Sequence, residues 1–411
     1  MKIVVASDSF KGSLTSAEVA DSIGKGIHDV LPSAEVVKVA VGDGGEGTVD
    51  ALIAAMGGKR ICAAAADPLG RPVVAQYAVM NDGLTAVLEM SSASGLTLLS
   101  PEERNPMLTS TYGTGEMIAA ALEKGCRKFF IGIGGSATND GGMGMLRALG
   151  YRFLDAEDNE LSGTGASLAD VCSIDDSGVL HGVHESEFVV ACDVDSPLYG
   201  PDGAAYVFAP QKGADPQMVR DLDAGLRHYA DAVSLYVRSL SESSDNGLCR
   251  HASMCPDAAS VPGAGAAGGL GYAFLSFLGA RLRRGSDLVL DAVGFDGIIE
   301  GADLVITGEG RIDSQTLTGK TPYGVLKRSF LKGIPVIALG GSVVLNDSDA
   351  ISRDGDRQDV CRFTGIYQVT PSGMSLSDAM LPSIASANIR RTVSEVLADR
   401  QKCVHRAKNM A

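Results

Sequence analysis

The charged residues with the clearest chemical potential follow an apolar segment near residue 304. The run Leu304-Val305-Ile306 predicts a buried strand, and a loop containing glycine comes next. Four charged side chains belong to this loop: Glu309, Arg311, Asp313 and Lys320. In an α/β protein, ligands bind at turns that follow the carboxyl ends of strands. Carboxylates and cations together in such a turn indicate an anionic substrate and a metal ion.

The end of the same segment partly matches a nucleotide-binding loop. A Walker motif requires Gly-x4-Gly-Lys-Ser/Thr, and Gly319-Lys320-Thr321 supplies its last three positions. Ser314 stands where the first glycine of that motif belongs. We therefore do not expect a standard P-loop, although Lys320 stays a candidate phosphate contact.

Carboxylates also occur at several other turns that are rich in glycine or that follow predicted strands. They are Asp8, Asp43, Glu46, Asp140 and Asp193. Carboxylates in such turns have little structural use unless a cation is bound, and Mg²⁺ prefers oxygen ligands. The sequence therefore predicts Mg²⁺. Its candidate ligands are Asp140, Asp193, Glu309 and Asp313.

Lysine and arginine occupy comparable positions. Lys11 lies shortly after Asp8, Arg311 lies just before Asp313, and Lys212 belongs to a Pro-Gln-Lys-Gly-Ala segment. Phosphoryl transfer requires this mixture of charges. Carboxylates hold Mg²⁺, cations stabilise the moving phosphoryl group, and one carboxylate orients or deprotonates the attacking hydroxyl. The sequence therefore favours a phosphotransferase.

A dinucleotide-binding fingerprint, Gly263-Ala-Gly265-Ala-Ala-Gly268, suggests a different chemistry. Such a fingerprint must follow a hydrophobic strand, whereas the segment before it ends in Pro262 and is a poor buried strand. An NAD-dependent dehydrogenase is therefore the less favoured alternative. Glycines at the start of a helix still suit an anion, so Gly265 and Gly268 are candidate phosphate contacts.

Two further patterns are weaker. Cys249, His251 and Cys255 have a spacing that suits zinc, but no fourth ligand is near, so we favour a surface insertion there. A serine hydrolase of the Gly-x-Ser-x-Gly type is excluded because that motif is missing from the sequence.

Composition narrows the range of partners and locations. The 411 residues are 45% hydrophobic and 21% charged, with a net charge of −15, which predicts a globular chain of two or three domains. The negative charge and the 5% aromatic content argue against nucleic acid or an anionic membrane as a partner. We expect neither a signal peptide nor a membrane span. Scattered cysteines indicate a reducing, cytoplasmic location.

The candidate residues must be positioned by alternating strands and helices. Residues 1–60 and 285–411 show the strand-loop-helix pattern of a parallel sheet. Residues 61–284 contain period-two segments and a hairpin signal, Asn81-Asp82-Gly83, which predict a mixed sheet. We therefore predict an α/β fold in which a mixed α/β domain, residues 61–284, is inserted into a parallel-sheet domain made from residues 1–60 and 285–411.

Seven motifs resemble, in content and order, those of the bacterial type-1 glycerate kinase family. They are Asp8-Ser-Phe-Lys-Gly, Gly42-Asp-Gly-Gly-Glu-Gly-Thr, Gly134-Gly-Ser-Ala-Thr-Asn-Asp-Gly-Gly, Ala191-Cys-Asp-Val, Pro210-Gln-Lys-Gly-Ala, Pro262-Gly-Ala-Gly-Ala-Ala-Gly-Gly and Thr307-Gly-Glu-Gly-Arg-Ile-Asp-Ser-Gln. The resemblance implies ATP-dependent phosphorylation of D-glycerate to 2-phosphoglycerate with Mg²⁺. It also implies that the parallel-sheet domain is flavodoxin-like or Rossmann-like and that the enzyme lacks a Walker loop.

Roles for individual residues follow from this resemblance and from their positions after strands. We expect glycerate and ATP in the cleft between the two domains, whose closure would exclude water. Arg311 or Lys11 would hold the glycerate carboxylate, and Asp193 and Asp313 would bind Mg²⁺ or accept the hydroxyl proton. Further substrate or phosphate contacts are expected from Asp8, Ser9, Asp43, Ser136, Asn139, Lys212, Gly265, Gly268 and Lys320.

Some questions stay open at this point. The residues alone do not distinguish phosphorylation of the 2-hydroxyl from that of the 3-hydroxyl, and they do not say which carboxylate is the base. The oligomeric state is open, with a homodimer as one option. Residues 241–258 and 346–361 look longer than is usual in the resembled family, without changing its motifs.

Overall fold

The chain forms two compact units in a computed structural model that describes residues 1–42, 48–242, 255, 257–314, 316, 319–345 and 362–408. Unit 1 comprises Met1–Asp43, Asp50–Met56 and Gly285–Ala411. Unit 2 comprises Gly44–Val49 and Gly57–Arg284. Unit 1 has a hydrophobic core on each face of its sheet, and unit 2 has a separate core.

Both units contain β-strands. In the described residues they are β1 (Lys2–Ser7), β2 (Glu35–Ala40), β3 (Gly58–Ala66), β4 (Pro72–Met80), β5 (Thr85–Glu89), β6 (Lys128–Gly132), β7 (Arg152–Leu154), β8 (Ser173–Asp175), β9 (Glu187–Ala191), β10 (Arg281–Arg283), β11 (Leu304–Ile312), β12 (Val336–Val343) and β13 (Gly365–Gln368).

The helices of the described residues are α1 (Ser16–Val30), α2 (Thr48–Met56), α3 (Ser91–Ser94), α4 (Tyr112–Glu123), α5 (Met143–Ala148), α6 (Ala204–Phe208), α7 (Pro216–Glu242), α8 (Ala266–Leu278), α9 (Gly285–Ala292), α10 (Phe295–Ile298), α11 (Thr321–Leu331), α12 (Leu376–Ala379) and α13 (Pro382–Lys408). Within this described part of the chain, none of them combines the length and the apolar character that a bilayer span requires.

Unit 1 contains a parallel five-stranded sheet in the order β13-β12-β11-β1-β2. Counted along the chain within this unit, the order is 2-1-3-4-5, which is the flavodoxin-like arrangement. The predicted α/β fold with a flavodoxin-like parallel sheet is confirmed. In this arrangement the strand order reverses between β1 and β11, and ligands bind beyond the carboxyl ends of these two strands.

Apolar side chains on both faces explain why β1 and β11 are central strands. Ile3 and Val5 contribute to a core that includes Ile23 of α1 and Ile389 of α13. Val4 belongs to the opposite core, together with apolar residues of α9 and α11. Strands buried on both faces need nearly continuous apolar runs, as both segments have. Polar residues in this sheet are therefore concentrated at the strand ends.

Unit 2 contains a mixed six-stranded sheet in the order β10-β9-β6-β5-β4-β3. Strands β5, β6, β9 and β10 are parallel, and β4 and β3 continue the sheet in antiparallel pairs. The predicted hairpin at Asn81-Asp82-Gly83 is confirmed, because β4 and β5 pair on either side of it. Strands β7 and β8 form a separate antiparallel pair.

The structure corrects the predicted end of the strand at Ile306. Pairing of β11 with β1 ends there, but β11 continues beside β12 as far as Ile312. Glycines allow this continuation, because a Cβ atom at Gly308 would lie 2.5 Å from the carbonyl oxygen of Leu339. Glu309 and Arg311 are therefore held by a strand, and the loop begins only after Ile312.

Candidate functional site

Asp8 is a buried carboxylate at the carboxyl end of β1, with only 4% of its surface exposed. Its Oδ1 accepts a hydrogen bond of 2.6 Å from the backbone N–H of Ser9. Its Oδ2 accepts one of 3.0 Å from the hydroxyl of Thr321, in the first turn of α11. The backbone N–H of Asp8 donates to the carbonyl oxygen of Gly308 at 2.9 Å. These bonds fix the carboxylate at the point where the strand order reverses.

Glu309 is a second buried carboxylate of unit 1, with 8% of its surface exposed. Its Oε1 accepts a hydrogen bond from the hydroxyl of Thr316, and its Oε2 lies 3.8 Å from Nζ of Lys320. The Thr316 hydroxyl also accepts a hydrogen bond of 3.0 Å from the backbone N–H of Asp313. Thr316 therefore connects Glu309 to the start of the loop that carries Asp313.

Arg311 and Asp313 form a more exposed ion pair beside these buried groups. Nε of Arg311 lies 3.4 Å from Oδ2 of Asp313, and 64% of the arginine side chain is exposed. Exposed ion pairs contribute little to stability, so a bound anion can compete for this guanidinium at small cost. Lys11 also has an exposed side chain, in the turn after β1. Both cations predicted to hold a substrate carboxylate are therefore accessible in unit 1.

The carboxylates of unit 1 suit Mg²⁺ through their chemistry. Mg²⁺ is usually held by one or two carboxylates together with phosphates of the substrate and water, rather than by an all-protein cage. Glu309 and Asp313 could provide carboxylate oxygens near the end of β11, where the Thr316 hydroxyl joins the Glu309 carboxylate to the backbone N–H of Asp313. Within the part of the chain that the structure describes, no group of three or more histidine, cysteine or acidic side chains could hold a metal ion.

In unit 2, the candidate residues follow the carboxyl ends of β6 and β9. The loop Gly134–Gly142 comes after β6, and Asp193, whose side chain is exposed, comes after β9. Because these strands are parallel neighbours, both segments lie at the same edge of the sheet. Gly134 and Gly135 are the exposed part of the loop, whereas Ser136 and the residues after it are buried.

Backbone contacts hold the first half of the Gly134–Gly142 loop in place. The carbonyl oxygen of Gly135 accepts a hydrogen bond of 2.9 Å from Leu96. The N–H of Ala137 donates to Ser94 at 3.0 Å, and its carbonyl oxygen accepts from the hydroxyl of Thr109 at 3.0 Å. Hydrogen bonds therefore anchor the loop to the rest of unit 2, and its two exposed glycines lie at the surface.

The structure favours a structural role for Asp140 over the predicted metal role. Asp140 is fully buried, and its Oδ2 accepts hydrogen bonds of 2.7 Å from both the N–H and the hydroxyl of Thr111. Its two oxygens also accept from the N–H groups of Gly142 and Gly144, at the start of α5. Burial raises the pKa of this carboxyl, and the hydrogen bonds from Thr111 oppose that shift. With these donors, little lone-pair capacity is left for a metal.

Lys212 lies beneath the loop instead of beside a solvent-exposed ligand position. Only 1% of its surface is exposed. Its Nζ donates hydrogen bonds of 2.7 Å to the hydroxyl oxygen of Ser136 and of 2.7 Å to the carbonyl oxygen of Thr138. Direct phosphate contact, which the sequence predicted, is therefore not available to Lys212 in this conformation.

Comparison with known proteins shows what this chain resembles as a whole. The model of the glycerate kinase family matches residues 3–401. A glycerate kinase from Bacillus subtilis (strain 168) is 45% identical over 398 residues, which cover 97% of each chain. The chain belongs to the glycerate kinase family.

Two further relatives agree with this membership of the glycerate kinase family. A glycerate 2-kinase from Escherichia coli (strain K12) is 46% identical over 401 residues, which cover 96% of this chain and 98% of that one. A crystal structure that is named as a glycerate kinase 2 from Salmonella typhimurium LT2 is 40% identical, with a TM-score of 0.83. That comparison covers 98% of this chain and 99% of the other. The protein is thus a phosphotransferase enzyme.

For a member of the glycerate kinase family, Gly263–Gly268 needs an explanation other than NAD binding. The residues directly before α8, 257–265, form a 3₁₀ turn and a loop, not the strand that a Rossmann fingerprint follows. A Cβ atom at Gly265 would lie 2.2 Å from the carbonyl oxygen of Pro197, and one at Gly268 would lie 2.1 Å from that of Thr138. Close approach of backbone segments accounts for both glycines without a ligand.

Ser136 and Asn139, both predicted ligand contacts, are buried in this glycerate kinase family member. The hydroxyl of Ser136 accepts the hydrogen bond from Lys212. Asn139 is fully buried, and neither its Oδ1 nor its Nδ2 has a hydrogen-bond partner. Asp43, Cys249 and His251 lie outside the described residues.

Two threonines of the site were missed by reasoning from the sequence. Thr321 fixes Asp8, and Thr316 connects Glu309 with Asp313. Thr321 had a signal in the partial Gly-Lys-Thr motif, which drew attention only to the lysine. Thr316 had none, because a threonine in a polar loop looks like any solvated residue. A third buried hydroxyl, that of Thr307, has no hydrogen-bond partner.

We expect Lys212 to make the stability of the protein depend on pH. Burial lowers the pKa of Lys212 to about 7, with partial opposition from the charge of Asp140, whereas an ordinary lysine titrates at 10.5. Between these two pKa values the unfolded chain binds more protons, so the free energy of unfolding rises with pH, by at most about 1.4 kcal/mol per pH unit.

Calorimetry of the wild type and of Lys212→Met isolates this contribution. The apparent Tm of the wild type should rise relative to that of the variant as the pH increases from the pKa of Lys212 towards that of an ordinary lysine. A difference in Tm that stays constant over this range would contradict the expected titration.

Proposed function

We propose that this protein transfers the γ-phosphoryl group of ATP to the 2-hydroxyl of D-glycerate, with Mg²⁺, giving 2-phosphoglycerate. The observation that carries the proposal is the pair of buried carboxylates, Asp8 and Glu309, at the reversal point of the unit 1 sheet. Lys320 places positive charge beside Glu309, and Arg311 places it beside Asp313. The name of the Escherichia coli relative, glycerate 2-kinase, supports the choice of the 2-hydroxyl.

Carboxylates and cations at the predicted positions would supply the groups that such a transfer requires. The glycerate hydroxyl oxygen forms a bond to the γ-phosphorus, the bond from that phosphorus to the β–γ bridging oxygen breaks, and a carboxylate accepts the hydroxyl proton. We assign proton acceptance to Asp313 or Asp193. Glu309 and Asp313 would hold Mg²⁺, which when bound neutralises phosphate oxygens.

Arg311 or Lys11 is assigned to the carboxylate of glycerate. Both side chains are exposed and both come from the carboxyl edge of the unit 1 sheet. Lys320 is assigned to a phosphate, because its ammonium lies near Glu309 at the start of α11, where a helix N-terminus favours anions. The exposed glycines of the Gly134–Gly142 loop and Asp193 are the candidates from unit 2.

The remaining assignments stay proposals. The domain boundaries after residues 60 and 284 stay proposals, beside compact units that divide after Met56 and after Arg284. The expected active-site cleft also stays a prediction. Cys62, Cys126, Cys172, Cys192 and Cys255 are free thiols, which supports a reducing, cytoplasmic location.

An assay of ADP release tests the proposed reaction directly. The purified protein should release ADP from ATP only when D-glycerate and Mg²⁺ are present. ³¹P NMR of the product should show 2-phosphoglycerate, and the appearance of 3-phosphoglycerate would contradict the assignment of the hydroxyl. L-glycerate and glycerol serve as controls for the stereochemistry and for the carboxylate. A fluorescence titration that shows tight NADH binding without ATP binding would support the dehydrogenase alternative instead.

A further inference from the structure

Contacts of the backbone, as well as those of the side chain, fix the position of Lys212. It ends the 3₁₀ helix Pro210–Lys212, and its N–H donates to the carbonyl oxygen of Ala209 at 3.0 Å. The next residue, Gly213, has a φ of +95°, and a Cβ atom there would lie 2.1 Å from the carbonyl oxygen of Arg104. The chain therefore turns tightly at this position and directs the Lys212 side chain into unit 2.

The ammonium group of Lys212 is costly in this environment. It is almost completely buried, and its two hydrogen bonds go to a hydroxyl and a carbonyl oxygen, neither of which carries a charge. Asp140 acts on it only through space and is itself occupied by Thr111 and the start of α5. A buried cation without a direct ionic partner is weak evidence for stability. An apolar side chain of similar length would fill the same space at lower cost.

Both hydrogen bonds of the ammonium go to one short segment of the Gly134–Gly142 loop. Ser136 and Thr138 are two residues apart, so Lys212 fixes a side chain and a carbonyl group on the same stretch. Directly before this stretch are Gly134 and Gly135, which are the exposed part of the loop. Because glycine has few conformational restrictions of its own, the orientation of this backbone depends on its contacts, which are the hydrogen bond from Leu96 to Gly135 and the anchoring of the residues that follow.

We propose that Lys212 is a positioning residue for phosphoryl transfer, which holds Ser136 and Thr138 so that the exposed amides of Gly134 and Gly135 stay oriented towards phosphate oxygens. This inference rests on the proposed function. It differs from a direct contact, because Lys212 acts on the ligand only through the loop. The buried ammonium of Lys212 would then lower stability but keep the phosphate-binding loop in position. Small displacements in such a site have large effects on rate.

The test compares Lys212→Met with the wild type in kinetics and in stability. Methionine has a similar length and no charge, so it removes both hydrogen bonds without leaving a large cavity. We expect kcat/KM for ATP to fall about 10²-fold, mainly through kcat. We expect the apparent Tm at neutral pH to stay the same or to rise, because the buried cation is gone. Lys124→Met, at an exposed position of unit 2, is the control and should leave both quantities unchanged.

A double-mutant cycle with Ser136→Ala adds a readout that general destabilisation does not produce. Ser136→Ala alone should reduce kcat, and it should reduce it no further in the Lys212→Met background, since the hydrogen bond is already lost. Hydrogen exchange gives a second readout without activity. Peptides that cover the Gly134–Gly142 loop should exchange faster in Lys212→Met, while the strands of unit 2 keep their protection.

The outcomes are separable. An unchanged kcat in Lys212→Met, or losses of kcat that add fully in the double variant, would overturn the inference. A loss of activity with a clear fall in Tm and faster exchange throughout unit 2 would also overturn it, since Lys212 would then be a residue of general stability. If the wild type itself releases no ADP with glycerate, the proposed function fails, and exchange in the loop alone decides whether Lys212 orders it.

Discussion

Replacement of Glu309 by glutamine is expected to lower kcat for glycerate phosphorylation by about 10² to 10³-fold. Glutamine keeps the size of the side chain and an acceptor oxygen for the hydroxyl of Thr316, but it removes the negative charge beside Lys320. Glu309 is held in β11 and is buried, so neither water nor another carboxylate can easily take its place. If Glu309 helps to hold Mg²⁺, the Mg²⁺ concentration at half-maximal rate should rise as well.

Glu300→Gln provides the matched control for Glu309→Gln. Glu300 belongs to the same unit, its side chain is 72% exposed, and it pairs with Lys332 at 3.1 Å. Exposed ion pairs of this kind contribute little, so kcat and Tm should both stay at wild-type values. Steady-state ADP release, measured over a series of Mg²⁺ concentrations, distinguishes the two variants. Equal kcat values for both variants would remove Glu309 from the reacting site.

The sheet of unit 1 could be predicted from the sequence because its determinants are local. Runs such as Leu304-Val305-Ile306 are apolar at every position, which indicates strands buried on both faces. Charged residues directly after these runs then had to lie at one edge of a parallel sheet. This reasoning correctly grouped Asp8 with Arg311 and Asp313 at the carboxyl edge of unit 1, although 300 residues separate them.

The exact end of β11 could not be predicted in the same way. A glycine-rich segment with charges looks like a turn, and Gly308 and Gly310 suggested one. The segment stays extended because it pairs with β12, in which Gly340 lies opposite Glu309, and a Cβ atom at Gly341 would lie 2.5 Å from the carbonyl oxygen of Gly310. The end of β11 is determined by its pairing with a segment that is distant in sequence. The sequence of β11 alone therefore does not predict where the strand ends.

The burial of Asp140 and Lys212 could not be predicted from the sequence for a related reason. Each is a charged residue in a glycine-rich segment, and the sequence indicated only that such residues are useful to a ligand. Their burial depends on segments far away in the chain, since Thr111 satisfies Asp140 and Lys212 crosses to Ser136. Residue type and spacing drew attention to the Gly134–Gly142 loop, but they could not distinguish its buried residues from its exposed ones.

Gly265 and Gly268 could serve either backbone packing or contact with a ligand. A substitution with a matched control distinguishes these two roles. Gly268 has a φ of +69°, and its missing Cβ would lie 2.1 Å from the carbonyl oxygen of Thr138. Gly70 has a φ of +81°, but nothing lies within 4 Å of the position that a Cβ would take. Alanine at Gly70 therefore introduces backbone strain alone, whereas alanine at Gly268 introduces strain and a steric conflict.

Gly268→Ala is expected to lower the free energy of unfolding by about 2 to 5 kcal/mol, as the sum of the left-handed conformation and an overpacked contact. For a unit of this size, the apparent Tm should fall by roughly 5 to 15 °C. Gly70→Ala should lose only the first part. The Thr138 carbonyl also accepts the hydrogen bond from Lys212, so displacement of this carbonyl in Gly268→Ala should reduce kcat too.

Calorimetry and steady-state kinetics on both glycine variants distinguish packing from ligand contact. If Gly268 serves only to admit a phosphate, its alanine variant should weaken ATP binding while its Tm matches that of Gly70→Ala. If Gly268 serves backbone packing, as its contact with Thr138 indicates, the Tm of its variant falls well below that of Gly70→Ala. The second result would also explain why a dinucleotide-like fingerprint can occur without a preceding strand: Gly268 allows α8 to approach Thr138 in the loop that Lys212 anchors, and Gly265 allows the chain before α8 to approach Pro197.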